Sequence, residues 1–143
     1  MALRSDVIHE RLAKLEEVVS LLGQLQGMDG AALRADPFKL YTVERGLQVA
    51  IECILDISSH IIAASGCRKP HDYTGVIDAL SEVGVIPRPF GERIRPLAGL
   101  RNLLVHMYLD VDTDRLAQHL HRLDDFRAFA RYVVEYITGR MLP

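Results

Sequence analysis

In the stretch RNLLVHMY, four polar residues, Arg101, Asn102, His106 and Tyr108, stand among apolar ones. Their types suit cleavage of a ribose–phosphate backbone without a metal ion. A histidine titrates near neutrality, so it takes a proton from a ribose 2′-hydroxyl or gives one to a leaving 5′-oxygen. An arginine holds the phosphate and stabilises the negative charge that develops on its oxygens. Asn102 is suited to orient the imidazole or donate to phosphate, and Tyr108 to stack on a base or bond to phosphate. Taken by itself the R-x4-H spacing arises easily by chance.

On an ideal helix Asn102 and His106 share a face, Arg101 and Tyr108 share another, and Arg101 and His106 diverge by roughly 140°. One regular helix therefore cannot aim all four groups at one point. Two arrangements resolve this: the helix end is irregular, or a second copy of the chain completes the site across a two-fold axis.

The elements that must carry these residues are helical. Leu3, Val7, Ile8, Leu12, Leu15, Val18, Val19, Leu22 and Leu25 recur at spacings of three and four, predicting a first helix over about residues 3–25. GMDGAALRAD reads as a connection, and Asp36-Pro37 as the N-cap and first position of a long second helix that Gly66 ends. Asp72 caps a short third helix, YTGVIDALSEVG, terminated by Gly84 and the Pro87/Pro89 pair. A fourth runs from about Phe90 to Tyr108, kinked or restarted by Pro96, and a last one opens at Asp112 and closes at Gly139. No strand pattern remains, so the expectation is an all-α, up-and-down four-helix bundle with one additional short helix, in a single domain over residues 1–143.

Within the long second helix, Glu44, Gln48, Glu52, Asp56 and His60 fall at successive i+4 positions, with Arg45 beside the start. This polar ridge is either a solvated face or the lining of a cleft or subunit interface. The apolar residues around it leave little other surface to expose. Asp56 or Glu52 is also a candidate to orient His106 from across the bundle.

Composition sets the outer limits. The 49% hydrophobic and 25% charged content is that of a globular domain, and a formal charge of −2 argues against a surface coated for tight non-specific nucleic-acid binding. Two cysteines without CxxC spacing indicate a reducing compartment, with Cys53 packed in the core. The start MALRSDVIHERLAKLEEVV lacks the apolar run of a secretory signal, and no segment is read as a membrane span, so a cytoplasmic protein with no membrane partner is expected. His60, Cys67 and His71 straddle a helix end without zinc-site spacing, so no metal and no cofactor is expected. His119 and His121 point to different helix faces and read as surface residues. VGVIPRPFGE is a proline-punctuated turn and no phosphate cradle.

RNLLVHMY is similar to the R-x4-H-x-Y signature of the HepT-like toxin ribonucleases of the HEPN superfamily, the toxins of type VII toxin–antitoxin systems. YTVERGLQVAIECILDISSHII resembles that family's central helix, DYTGVIDALSEVGVIP its next helix and connection, and LDDFRAFARYV its closing helix, so the likeness spans roughly Asp36 to Tyr136. The resemblance implies a helical-bundle endoribonuclease that dimerises so that paired motifs line a composite RNA-cleaving groove. Arg101 and His106 would be its catalytic pair, Asn102 the polar residue after the arginine, and Tyr108 the motif tyrosine. It also implies RNA and not DNA as substrate, and a minimal nucleotidyltransferase antitoxin that in some systems attaches AMP to that tyrosine. Within the family-like helix, the ridge Glu44, Arg45, Gln48, Glu52 and Asp56 reads as cleft-lining or partner-facing. Pro96 and Gly99, just upstream of the motif, are departures that bear on how it is presented. The alternative is a non-catalytic HEPN module that binds nucleotide or docks a nucleotidyltransferase.

Overall fold

The computed structural model of the chain describes residues 3–106 and 111–141, and among them every regular element is a helix. They are α1 (Ser5–Gly23), α2 (Gly30–Ala35), α3 (Pro37–Ala64), α4 (Tyr73–Glu82), α5 (Arg88–Ile94), α6 (Pro96–His106), α7 (Thr113–Leu120) and α8 (Leu123–Met141). Four aspartates start four of them by accepting a hydrogen bond from a freed backbone amide: Asp29 from Ala32 (2.8 Å), Asp36 from Lys39 (3.2 Å), Asp72 from Gly75 (2.7 Å) and Asp112 from Asp114 (3.0 Å). Gly66 (φ 77°) and Gly84 (φ 85°) end α3 and α4 in the left-handed region that a side chain disfavours.

Two expectations are corrected in detail and a third is resolved. GMDGAALRAD is not a plain connection, because Asp29 caps the short helix α2, which packs on α7. Of the kink or restart expected at Pro96 the structure shows the restart: Pro96 lacks the amide that would continue the ladder, so α5 stops at Ile94 and α6 begins after Arg95. The last helix is also two, broken at His121 and Arg122, and α8 continues through Gly139 to Met141.

α3 is the hub, packed against α1, α4, α6, α7 and α8. Leu47, Ile51, Ile54, Ile57 and Ile61 along it are almost fully buried, against Leu15 and Leu22 of α1 and Phe126 and Phe129 of α8. At about 25 cal/mol per Å² of apolar surface removed from water, each such side chain contributes about 1.5–3 kcal/mol. By length and composition alone α3 would qualify as a membrane span, with a mean hydropathy of 1.5, which the sequence reading missed; 56% of that stretch is buried inside the fold. Cys53 is buried as expected, and burial pushes its thiol's pKa up.

His119 is not the surface residue expected. It is half-buried on α7, where burial, and then Arg115 and Arg122, lower its pKa to about 4 from an ordinary 6.5. The unfolded chain therefore binds the extra proton first, so this group's contribution is present above pH 6.5 and is lost as pH falls towards about 4. His119→Gln is expected to lose less Tm than the native chain between pH 6.5 and 4. Parallel Tm curves for the two proteins would show that His119 does not carry the linkage.

Candidate functional site

The motif residues through His106 lie on α6, whose Leu97, Ala98 and Leu100 are buried and hold it against the core. Regular α-helix continues to His106, so the irregular-end arrangement finds no support up to that residue. Five residues of helix put Arg101 and His106 about 7.5 Å apart along the axis and roughly 140° around it. His106 and Asn102 are exposed and Arg101 is half-buried. Tyr108 lies outside the described residues.

Arg101 is held from three directions. Its Nε donates to Glu52 Oε1 of α3 at 2.8 Å, and its guanidinium lies 4.9 Å from the ring centroid of Tyr73, the first residue of α4. One Nη donates to Asn102 Oδ1 at 3.3 Å. The side chain of Arg101 is 20% exposed and that of Glu52 42%, so solvent reaches one edge of the pair. A planar cation pinned at Nε and stacked on a ring keeps other N–H groups to donate, the arrangement that suits bidentate phosphate recognition. Tyr73 was not singled out from the sequence. It lies 28 positions from Arg101, and no local spacing could have signalled the contact.

The ridge of α3 is not a uniformly solvated stripe. Arg45, Glu52 and Asp56 line a groove of about 690 Å³ against Glu10, Arg11 and Lys14 of α1. Arg11 Nε donates to Asp56 Oδ2 at 2.6 Å, while His60 Nε2 lies 4.0 Å from the other oxygen of Asp56. Glu44 and Gln48 are half-buried at the other end, and desolvation raises the Glu44 carboxyl's pKa. Glu52 and Asp56 thus bond to arginines. Among the described residues neither is hydrogen-bonded to His106, so orientation of His106 by either carboxylate is corrected to orientation of Arg101 by Glu52.

Among the described residues no group of histidine, cysteine and carboxylate side chains has the arrangement to hold a metal ion. His60, Cys67 and His71 do come together, around a cavity between the end of α3 and the start of α4.

The family described as ribonuclease HepT-like matches residues 8–133, which adds most of α1 to the span legible in the motif segments. The chain is 26% identical over 126 residues to the mRNA nuclease HepT of Shewanella oneidensis, covering 87% of this chain and 94% of that protein. Among solved structures, the tri-AMPylated Shewanella oneidensis HEPN toxin in complex with its MNT antitoxin superposes with a TM-score of 0.80 at 24% identity, covering 91% of this chain and 98% of that one. The cytosolic protein YutE of Bacillus subtilis gives a TM-score of 0.83 at 23% identity over 100% of this chain and 97% of that one. At such identity the structural likeness is one of fold, and it is the match across residues 8–133 that assigns the chain: it belongs to the HepT-like ribonuclease family of HEPN proteins.

Proposed function

We propose that this chain is a metal-independent endoribonuclease, the toxin of a HEPN and minimal nucleotidyltransferase pair, acting as a homodimer. One observation carries the reading: a single continuous α-helix presents Arg101, already fixed by Glu52 and Tyr73, and an exposed His106 on diverging faces. Two copies related by a two-fold axis bring two such pairs to one groove. There one imidazole takes the proton of the ribose 2′-hydroxyl, whose oxygen attacks phosphorus. The other protonates the departing 5′-oxygen, leaving a 2′,3′-cyclic phosphate and a 5′-hydroxyl. Arg101 balances the charge on the phosphoryl oxygens, and the Asn102 amide donates to the same phosphate.

The name of the Shewanella oneidensis relative, an mRNA nuclease, supports RNA as substrate, and the solved complex of a Shewanella oneidensis HEPN toxin with its MNT antitoxin supports a nucleotidyltransferase as partner. That toxin is AMPylated in the complex. In this chain the acceptor is Tyr108, where an adenylyl group adds bulk and negative charge that repels RNA phosphate. Glu44, Arg45, Gln48, Glu52 and Asp56 contribute to the groove or the face shared with a partner.

With total cellular RNA and a chelator present, the purified protein is expected to yield discrete fragments, and His106→Ala to cleave at least about 100-fold more slowly with an unchanged circular dichroism spectrum. Equal cleavage by both sinks the site assignment. No cleavage by either, with the native chain still binding a nucleotidyltransferase, favours the non-catalytic module. Incubation with that partner and ATP is expected to increase the mass of the native chain by one or more adenylyl groups; Tyr108→Phe staying unmodified identifies the acceptor, and unchanged modification sinks it.

Because the Glu52–Arg101 pair is partly wet, its worth lies in orientation and little in stability. A double-mutant cycle with Glu52→Ala and Arg101→Ala, read by urea unfolding, is expected to give a coupling of no more than about 1 kcal/mol. Glu52→Ala is expected to slow cleavage about tenfold, on the order of 1.4 kcal/mol, and Glu52→Gln, which keeps an acceptor oxygen for Arg101 Nε, much less. A coupling of about 3 kcal/mol or more would make the pair a structural one.

A further inference from the structure

A cavity of about 720 Å³ opens between the last turns of α3, the 65–72 connection and the first turns of α4. Ile62 and Val76, only 2% and 7% exposed, belong to its apolar lining, while His60, Lys69 and His71 contribute cationic or imidazole groups. Its volume is that of a small-molecule site, and apolar walls with a few polar side chains are what a flat heterocycle requires. Two carboxylates also line it, and both are already engaged: Asp56 with Arg11 at 2.6 Å and Asp72 with the Gly75 amide at 2.7 Å. The cavity is joined to the motif through Tyr73, which lines it and carries the Arg101 guanidinium 4.9 Å from its ring centroid. Tyr73 thus borders both the cavity and the Arg101 guanidinium, so one nucleotide could place its base in the first and its phosphate at the second.

We propose that this cavity is a nucleobase subsite, seating the base of a nucleotide whose phosphate lies at Arg101. The inference rests on the ribonuclease reading above and extends it: the site takes single-stranded RNA, because a base must leave its stack to enter. Ile62 and Val76 receive the ring, Tyr73 and the imidazoles of His60 and His71 offer planar faces for stacking, and Lys69 meets the backbone. It would also give the nuclease a base preference beside the cleaved bond, which Arg101 and His106, contacting only phosphate and ribose, cannot supply.

The test pairs two readouts on the full-length chain. A fluorescein-labelled single-stranded RNA is titrated into cleavage-deficient His106→Ala protein with and without His60→Ala plus His71→Ala, and separately with Ala63→Phe, which narrows the cavity from an exposed position. The same changes in the cleavage-competent chain are mapped on a randomised RNA pool. Loss of one stacked base corresponds to about a tenfold weaker Kd, with the rate at saturating RNA within about twofold and the base preference at the cut broadened. Unchanged Kd and unchanged cut sites in both variants, while the native chain cleaves, overturn the subsite alone. AMP binding that both variants weaken, with RNA affinity unchanged, assigns the cavity to a free nucleotide and overturns it too, as does a variant defective only in binding the nucleotidyltransferase. If the native chain neither binds nor cuts RNA, the ribonuclease reading fails and the subsite falls with it.

Discussion

The constraint on which the structure turns is the burial of α3. Neighbouring helices pack along one side of it, and Leu47, Ile51, Ile54, Ile57 and Ile61 are buried there. Away from that buried side Glu44, Gln48, Glu52, Asp56 and His60 run at i+4 spacing across a half-buried face, beside the exposed Arg45. Carboxylates at half-buried positions lose part of their hydration, so they need cations from neighbouring elements. Arg11 comes from α1 to Asp56 and Arg101 from α6 to Glu52. The polar ridge is therefore a seam at which the flanking helices are registered by charge.

That seam explains why the motif arginine is held while its histidine is exposed. Arg101 leans back onto α3 and α4, where Glu52 and Tyr73 take it, whereas His106 lies roughly 140° further round α6 and is exposed. The break at Pro96 makes α6 a helix of its own. Its missing amide ends α5, and Leu97, Ala98 and Leu100 are the residues that bury α6 in the core. A rigid helix with divergent groups makes little sense as a self-contained active site and good sense as half of a symmetric one. The cost in stability is small, since the ion pair is partly hydrated and its net worth is that of a surface pair.

Much of this was determined by the sequence alone. Apolar periodicity, four capping aspartates of which Asp36, Asp72 and Asp112 were legible, and glycines at Gly66 and Gly84 specify an all-helical chain, because such signals act within one or two turns. RNLLVHMY and the segments around it were enough to indicate the family, because that likeness is carried by linear order. The short helix α2, the break at His121 and the continuation of α8 past Gly139 escaped because a six-residue helix, a single-turn break and a tolerated helical glycine are decided by packing energies that local propensity does not contain. The partners of each charge were decided only by the tertiary structure. Glu52 with Arg101, Asp56 with Arg11, Tyr73 beneath the guanidinium and the desolvated imidazole of His119 all depend on which helix faces meet, and desolvation and Coulomb attraction act through space between residues that sequence spacing keeps apart.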